Sequence, residues 1–236
     1  MADLKGRVAI VTGAGRGIGR AISQRLAACG AKVVLAARNA VQLNETHRLI
    51  EGQGGEALAV PTDVSNEQAV QALIAKTIDR FKRVDILVNN AGVALAGTVE
   101  SMTPESFGRL LDTNIRSVYL CCRAVWPHMR KAGSGAIINI SSIAAHDPFP
   151  GLGAYGATKS FVGLYTKAMA VEGAPLGIRV HAIAPGAVET HMLRGLFPEF
   201  PAGQALAPED VAEAVEMMLT PAAANMSGQS FVVNKG

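Results

Sequence analysis

Short, continuously apolar segments alternate with longer amphipathic segments along the whole chain. The segment Val8-Ala9-Ile10-Val11 is apolar at every position, and so is Ile86-Leu87-Val88. Strands have this composition when both faces of their sheet are covered, as in a parallel sheet with helices on each side. The alternation of strands and helices therefore predicts an α/β fold with a doubly wound sheet of about seven parallel strands and helices on both faces.

Seven segments are predicted as strands: Arg7–Thr12, Lys32–Ala37, Glu56–Pro61, Val84–Asn89, Ala136–Ser141, Ile178–Ala184 and Gln229–Val233. Six are predicted as helices: Gly17–Cys29, Ala40–Gly52, Asn66–Phe81, Pro104–Lys131, Ala154–Gly173 and Pro208–Leu219. The one irregular stretch is Glu189–Ala207, which contains Pro198, Pro201 and Gly203 among several apolar residues. Because no linker or repeat interrupts the pattern, we expect a single Rossmann-like domain over residues 1–236.

Charge and cysteine content exclude several classes of protein. The formal net charge is only +3, which is too small to indicate a nucleic-acid partner. The chain has an odd number of cysteines, and two of them are adjacent: Cys29, Cys121 and Cys122. We therefore expect no disulfide framework, and we expect a cytoplasmic location. No C-x-x-C spacing suggests zinc, and neither a metal site, a signal peptide nor a membrane span is expected.

A glycine-rich turn follows the first predicted strand. It reads Thr12-Gly13-Ala14-Gly15-Arg16-Gly17-Ile18-Gly19 and leads into a predicted helix. Such a turn allows backbone N–H groups at a helix N-terminus to approach a pyrophosphate. The spacing is Gly13-x-x-x-Gly17-x-Gly19 and not the strict G-x-G-x-x-G, and a glycine cluster alone also fits a merely flexible turn.

The end of the second predicted strand indicates which dinucleotide is preferred. Enzymes that prefer NAD place an acidic residue about twenty residues after the glycine turn, where it binds the ribose 2′-hydroxyl. No acidic residue occurs between Asp3 and Glu45, and the strand ends in Ala37-Arg38. A guanidinium suits a phosphate, so Arg38 and Arg16 are predicted to hold the 2′-phosphate of NADP(H). The alternative is that both arginines lie on a solvated rim.

Candidate catalytic residues follow the fifth predicted strand. Ser142 lies at the carboxyl end of that strand, where ligands bind in open α/β sheets. Tyr155 and Lys159 are four residues apart, so they share one face of the next helix. A nearby ammonium favours the phenolate, which predicts a lowered Tyr155 pKa and a phenol able to exchange a proton with an oxygen.

These motifs together resemble the classical short-chain dehydrogenases/reductases over essentially the whole chain. The resemblance is carried by the glycine turn, Asn89-Asn90-Ala91-Gly92, Ser142, Tyr155-x-x-x-Lys159 and Pro185-Gly186 in their order and spacing. The general pattern is most similar to 3-oxoacyl-thioester (acyl-carrier-protein) reductases. The family is α/β, binds a nicotinamide cofactor and is commonly tetrameric, so the resemblance implies a homotetramer here.

The resemblance also implies residue roles. Tyr155 would be the general acid or base, and Lys159 would lower its pKa and hold the nicotinamide ribose. Ser142 would bind the substrate oxygen, and Asn114 would support a water-linked proton relay to the lysine. Cofactor contacts are implied or predicted for Gly13, Gly15, Arg16, Gly17, Ile18, Gly19, Arg38, Asp63, Val64, Asn89, Ala91, Gly92, Tyr155, Lys159, Pro185, Gly186, Val188 and Thr190.

The substrate remains open at this level. We expect hydride transfer between NADP(H) and a small carbonyl compound or secondary alcohol, with a 3-oxoacyl thioester as one candidate and a free ketone, sugar or polyol as the other. A carrier protein is acidic and favours basic residues at the cleft entrance, a role open to Arg130 and Lys131. The segment Glu189–Ala207 corresponds to the family's substrate-covering segment, although a fixed loop packed on the core is also consistent.

Two other classes of function compete with this interpretation. A non-catalytic NADP-sensing protein on the same fold is one, since fold does not fix function, but Tyr155 and Lys159 are both present. A methyltransferase is the other, and it would favour an acid where Arg38 stands. His146 is expected on a surface loop, and His181 is given no catalytic role.

Overall fold

The computed structural model describes residues 2–235 and contains one sheet of seven parallel strands in the order β3-β2-β1-β4-β5-β6-β7. The strands are β1 (Val8–Thr12), β2 (Lys32–Ala37), β3 (Glu56–Pro61), β4 (Ile86–Asn89), β5 (Gly135–Ile140), β6 (Ile178–Pro185) and β7 (Ser230–Val233). The predicted doubly wound α/β fold is confirmed, and each predicted strand is present with its ends moved by no more than two residues.

Helices cover both faces of the sheet. They are α1 (Gly17–Ala28), α2 (Ala40–Gly52), α3 (Glu67–Phe81), α4 (Pro104–Leu111), α5 (Ser117–Ala132), α6 (Gly153–Gly173), α7 (His191–Leu196) and α8 (Pro208–Leu219). Short 3₁₀ turns occur at Ile143–Ala145, Ala174–Leu176 and Pro221–Met226. Within residues 2–235, no helix combines the length and the apolar character that crossing a bilayer requires.

The fully apolar strands are explained by two cores, one on each face of the sheet. In β1, Ala9 and Val11 pack into one core with α1 and α8, whereas Val8 and Ile10 pack into the other with α3 and α5. All four side chains are buried, and the burial of each large aliphatic group stabilises the fold by about 1.5–3 kcal/mol. A polar residue at any position of β1 would therefore be buried.

Strand order places a crevice between β1 and β4. The chain proceeds from β1 outward to β3, then returns to β4 beside β1 and proceeds outward again to β7. Loops leaving β1 and β4 consequently diverge to opposite faces, which opens a crevice at the carboxyl ends of these two strands. The glycine turn after β1 and the segment after β4 form its walls.

The predictions for two segments, one predicted as a helix and one as irregular, are wrong. The segment Pro104–Lys131 is not one helix: a π-helical turn over Asp112–Arg116 separates α4 from α5. The wider turn orients the Asn114 side chain toward the 91–94 loop, and π-turns of this kind recur at functional sites. The stretch Glu189–Ala207 is not wholly irregular, because α7 begins after Thr190, whose hydroxyl accepts from the Leu193 amide at 3.3 Å.

Candidate active site

The glycine turn is shaped by close backbone approach. Gly13 and Gly17 have φ of +66° and +52°, in the left-handed region that side chains rarely adopt. A Cβ on Gly13 would lie 2.7 Å from the Asn90 amide nitrogen, and a Cβ on Gly19 would overlap the Gly13 carbonyl oxygen. Gly13 and Gly19 therefore leave room for the Asn90 side chain between the β1–α1 turn and the loop after β4.

The N-terminus of α1 is arranged for an anion. Arg16 occupies the N-cap position, no side chain caps the first-turn amides, and that turn contains no acidic residue. Free N–H groups and the positive end of the helix dipole attract negative charge. Since Gly17, Ile18 and Gly19 of this turn line the cleft, a dinucleotide pyrophosphate fits there.

Adjacent serines at the end of β5 have different roles. Ser141 is buried, and its hydroxyl donates to the Lys159 carbonyl at 2.9 Å, which attaches α6 to the strand. Ser142 is half-buried and lines the cleft, and its hydroxyl accepts from the Ala144 amide at 3.2 Å. The period of two along the strand end accounts for this division, and it leaves Ser142 as the hydroxyl available to a substrate.

Tyr155 and Lys159 are on one face of α6, as their spacing predicts, and both line the cleft. The Lys159 Nζ lies 5.9 Å from the centre of the Tyr155 ring and donates to the Ile140 carbonyl at 2.9 Å. Lys159 is buried, and burial lowers its pKa to about 8. It is therefore an ammonium held with little solvation directly below the phenol.

The prediction of a lowered Tyr155 pKa is wrong for the protein as it stands. Burial raises the pKa of the phenol, and the neighbouring Ser142 hydroxyl only partly opposes this shift. Lys159, whose ammonium donates to the Ile140 carbonyl, does not offset this effect of burial on the Tyr155 pKa. At neutral pH the phenol consequently keeps its proton, the form required of a proton donor.

Asn114 is buried next to this pair. Its amide nitrogen donates to the Val93 carbonyl at 2.9 Å and to the Thr158 hydroxyl at 3.0 Å, and its oxygen accepts from the Val93 amide at 2.9 Å. Its oxygen and the Lys159 Nζ both face Gly92, where a Cβ would lie 3.3 Å and 3.4 Å from them. Asn114 thus fixes the loop beside the lysine, and it reaches neither Tyr155 nor Lys159 by a direct hydrogen bond.

Most of the predicted site residues surround one cavity of about 770 Å³. The predicted residues that line it are Gly13, Arg16, Gly17, Ile18, Gly19, Ala91, Gly92, Ser142, Tyr155, Lys159, Pro185, Gly186, Val188 and Thr190. The phosphate turn and the candidate catalytic residues therefore belong to the same cleft. His146 is exposed and does not line this cavity, in keeping with a surface loop.

Other predicted residues lie outside the cavity. Arg38 and Asp63 are exposed beyond the ends of β2 and β3, and a hydrogen bond from Ser65, together with the nearby Arg38 charge, lowers the Asp63 pKa. Val64 is buried beside them. Gly15 instead packs against α2, since a Cβ there would lie 2.9 Å from the Gln42 Cβ.

Comparison with known proteins gives a consistent result. The family model described as short chain dehydrogenase matches residues 7–199. The chain belongs to the short-chain dehydrogenase family. It is 41% identical to a 3-oxoacyl-[acyl-carrier-protein] reductase of Synechocystis sp., covering 100% of this chain and 98% of that protein. It is 39% identical to 3beta-hydroxysteroid dehydrogenase 1 of Eggerthella lenta, covering 99% and 94%.

A solved structure of a short-chain dehydrogenase superimposes closely. It is a 3-ketoacyl-(acyl-carrier-protein) reductase from Brucella melitensis complexed with NADH, with a TM-score of 0.91 and 38% identity, covering 99% of this chain and 98% of that one. This chain therefore shares the overall fold of that protein.

Two residues of the cofactor half are more important than the sequence suggested. The Thr12 hydroxyl accepts from the Asn90 and Ala91 amides, both at 3.0 Å, and the Asn90 side chain donates to the Thr12 carbonyl at 2.9 Å. The Asn89 side chain is directed away into the core, where it donates to Asn139 at 2.9 Å. Successive side chains of a strand point to opposite faces, and this alternation over residues 88–90 is what could have distinguished the cleft-facing Asn90 from the core-facing Asn89.

The substrate half of the short-chain dehydrogenase cleft is mainly apolar, which the sequence indicated only in part. Its large apolar residues are Ile143, Phe149, Leu152, Met192, Leu193, Leu196, Phe197 and Phe200. Among the described residues lining the cleft, the only lysine or arginine side chains are Arg16 and Lys159. Phe149 and Leu152 come from the loop before α6, a source that sequence analysis did not identify because loops lack periodicity.

Proposed function

We propose that this protein is an NADP(H)-dependent oxidoreductase that transfers hydride between the nicotinamide and a carbonyl compound or secondary alcohol. The observation that carries the proposal is that Ser142, Tyr155 and Lys159 line the same cleft as the uncapped N-terminus of α1. The whole chain, residues 1–236, would act as one cofactor-binding domain.

Each of these groups would have a separate role in a carbonyl reduction. The bound dinucleotide supplies the hydride. The amides of the first turn of α1 hold its pyrophosphate, and Ser142 donates a hydrogen bond to the substrate oxygen. Tyr155 gives its proton to that oxygen, and the Lys159 ammonium below the ring stabilises the negative charge that the phenol acquires. Oxidation of an alcohol reverses these transfers.

Preference for NADP(H) rests on Arg16 and Arg38. Both are exposed, and neither forms an ion pair within residues 2–235. The end of β2 offers Arg38 where an NAD enzyme would offer a carboxylate to the ribose 2′-hydroxyl. The Brucella melitensis structure contains NADH, so both dinucleotides belong in the test.

Cofactor preference can be measured by reversing one charge. Arg38→Asp is expected to raise the KM for NADPH on the order of tenfold or more, because it removes a charge-assisted hydrogen bond and adds repulsion. The KM for NADH should change little. Arg48→Asp, at an exposed position of α2, is the matched control. Equal changes in both KM values would contradict the NADP assignment.

The substrate class follows from the apolar wall of the cleft. Two relatives are named for 3-oxoacyl-carrier substrates, and the Eggerthella lenta relative is named for a steroid. Arg130 and Lys131 end α5 beside the amino end of β5, at the edge of the sheet opposite the cleft of their own chain. This favours an uncharged carbonyl compound with a hydrophobic body, and leaves the 3-oxoacyl thioester as the second candidate.

Self-association and location belong to the same proposal. Large apolar side chains are exposed on α4, α5 and α6, among them Phe107, Tyr119, Phe161 and Leu164. Such a surface favours burial against another copy, which supports a homotetramer. All three cysteines are buried free thiols, which supports a reducing cytoplasm.

The decisive experiment is NADPH oxidation, followed by absorbance, with acetoacetyl thioesters, simple ketones and keto-sugars. Tyr155→Phe removes the proton donor and keeps its shape, so kcat should fall by about 10²–10⁴. Tyr165→Phe, on the same helix and outside the cleft, is the control. Tight NADPH binding without turnover of any carbonyl would instead favour a cofactor-sensing protein.

A further inference from the structure

The segment after β6 is closed at its base by backbone contacts. Val188 and Leu206 form an isolated parallel bridge, and the Glu189 amide donates to the Leu206 carbonyl at 2.9 Å. The Leu206 amide returns a bond to the Ala187 carbonyl at 2.8 Å. Residues 189–206 therefore form a surface loop whose two ends are held together. We refer to it below as the 189–206 loop.

The guanidinium of Arg194 connects several parts of this loop through hydrogen bonds. Arg194, on α7, donates to the two oxygens of Glu189 at 2.8 Å and 2.5 Å. Its remaining terminal nitrogen donates to the Phe200 carbonyl at 2.6 Å and lies 3.4 Å from the Pro198 carbonyl. The planar fork of arginine suits such a set, whereas the point charge of lysine does not. Hydrogen bonding to Arg194 lowers the Glu189 pKa, so the carboxylate stays charged at neutral pH.

The residues fixed by this arrangement are those that face the substrate. Leu196 follows Arg194 by half a turn, and Phe197 and Phe200 flank the carbonyls that Arg194 holds. All three line the cleft, as do Phe149 and Leu152. Phe197 is 41% exposed, so little other than the loop's own contacts holds it in place.

An ordinary surface ion pair would be a weaker explanation. Exposed pairs commonly contribute little to stability, and many contribute nothing measurable. Arg194 differs because it also satisfies backbone carbonyls in the irregular part of the loop, where no helix or strand does so. Loss of the guanidinium would therefore release a segment and not only a pair of charges.

We propose that Arg194 is a specificity-determining positioning residue. It folds the 189–206 loop so that Leu196, Phe197 and Phe200 form one wall of the substrate cleft, and that wall selects carbonyl compounds with a bulky apolar body over small ones. The proposal rests on the proposed oxidoreductase function, since selection presupposes turnover.

The test compares two ketones, butanone and the bicyclic decalone, with NADPH as reductant. Arg194→Gln should raise the KM for decalone about tenfold, in the range that apolar pocket contacts give, and change kcat/KM for butanone less than twofold. Arg194→Lys should recover part of the loss. The NADPH Kd, measured by the fluorescence of the bound nucleotide, should stay constant.

A second readout needs no turnover. Chymotrypsin cleaves after leucine and aromatic residues unless proline follows, as it does after Phe197 and Phe200. The released loop of Arg194→Gln should therefore be cut faster after Leu196 than in the wild type. Arg123→Gln is the matched control, because Arg123 forms a comparable exposed pair with Glu67 at 2.6 Å, between α5 and α3. It should change neither cleavage nor selectivity.

The outcomes separate the two proposals. Wild-type protein that binds NADPH but reduces neither ketone nor any thioester counts against the oxidoreductase function. An active Arg194→Gln variant with an unchanged ratio of decalone to butanone turnover overturns the role of Arg194, whatever its proteolysis. Slow, wild-type-like cleavage of that variant overturns it as well.

Discussion

The burial of Lys159 makes a prediction about stability that can be tested before any substrate is known. The ammonium sits under Tyr155 with 5% of its surface exposed, and burial lowers its pKa from 10.5 to about 8. A lowered lysine pKa means that the folded state resists protonation that the unfolded chain accepts. Keeping the charge at neutral pH therefore costs the protein stability, and the variant Lys159→Met removes that cost.

The magnitude follows from the shift. Each pKa unit corresponds to about 1.4 kcal/mol, so the fall from 10.5 to about 8 makes the buried charge cost roughly 3 kcal/mol at neutral pH. The variant also leaves the Ile140 carbonyl without its donor, a loss of about 1–3 kcal/mol that does not depend on pH. At pH 7, Lys159→Met should consequently equal or exceed the wild type in stability while lacking activity.

The sign of the pH dependence is the sharper part of this prediction. Between pH 8 and 10.5 the unfolded chain binds more protons at this lysine than the folded protein, so wild-type stability rises with pH. By pH 10 the wild type should regain about 2 kcal/mol relative to Lys159→Met. The advantage of the variant at pH 7 should therefore shrink or reverse.

Urea denaturation of the cofactor-free protein at pH 7 and pH 10 measures this difference. Lys167→Met, at an exposed position on the same helix, is the control and should stay within about 0.5 kcal/mol of the wild type at both pH values. A Lys159→Met variant whose stability difference from the wild type is the same at both pH values would refute the reasoning.

Three further predictions concern single side chains. Gly19→Ala should abolish dinucleotide binding, measured by fluorescence titration, because its Cβ would overlap the Gly13 carbonyl; tight binding would contradict the loop geometry. Ser142→Ala should lower kcat by about tenfold to a hundredfold and leave the Tm close to that of the wild type. Ser141→Ala should instead lower the Tm, because it breaks a buried hydrogen bond to α6. The reverse pattern would mean that the two serines have exchanged roles. His181 is buried, and burial, aided by a nearby arginine, lowers its pKa, so the unfolded chain gains a proton first as the pH falls and the folded protein loses stability. His181→Leu should reduce this loss of stability between pH 7.5 and 5.5. An equal loss in both proteins would exclude this histidine as its source.

Much of the fold was predictable because both faces of the sheet are covered. Residues such as Val8 and Ala9 had to be apolar whichever face they occupied, so strand position was evident without knowing orientation. Because the strand residues are apolar on both faces, the sequence did not show which way each side chain points. The different roles of Asn89 and Asn90 depend on that orientation alone. Asn90 joins the two cofactor loops, and Asn89 belongs to the core.

The site was less predictable wherever tertiary contacts override local pattern. Asn114 lies in a segment with continuous helical periodicity, yet its bonds to Val93 and Thr158 accompany a π-helical turn. The spacing of Tyr155 and Lys159 correctly placed both groups on one face. It could not show that the ammonium donates to the Ile140 carbonyl, or that burial raises the pKa of the phenol.

The position of α6 depends on a chain of buried hydrogen bonds between polar side chains. Asn89 donates to Asn139 at 2.9 Å, Asn139 donates to Thr166 at 2.8 Å, and Thr166 lies on α6 two turns beyond Lys159. Ser141 adds a second attachment at the Lys159 carbonyl. Buried hydrogen bonds of this kind fix geometry because breaking one leaves a partner unsatisfied. The phenol and ammonium are therefore held at the cleft partly by Asn89, Asn139 and Thr166, which do not line it, and their position depends on β4 and β5 as much as on α6.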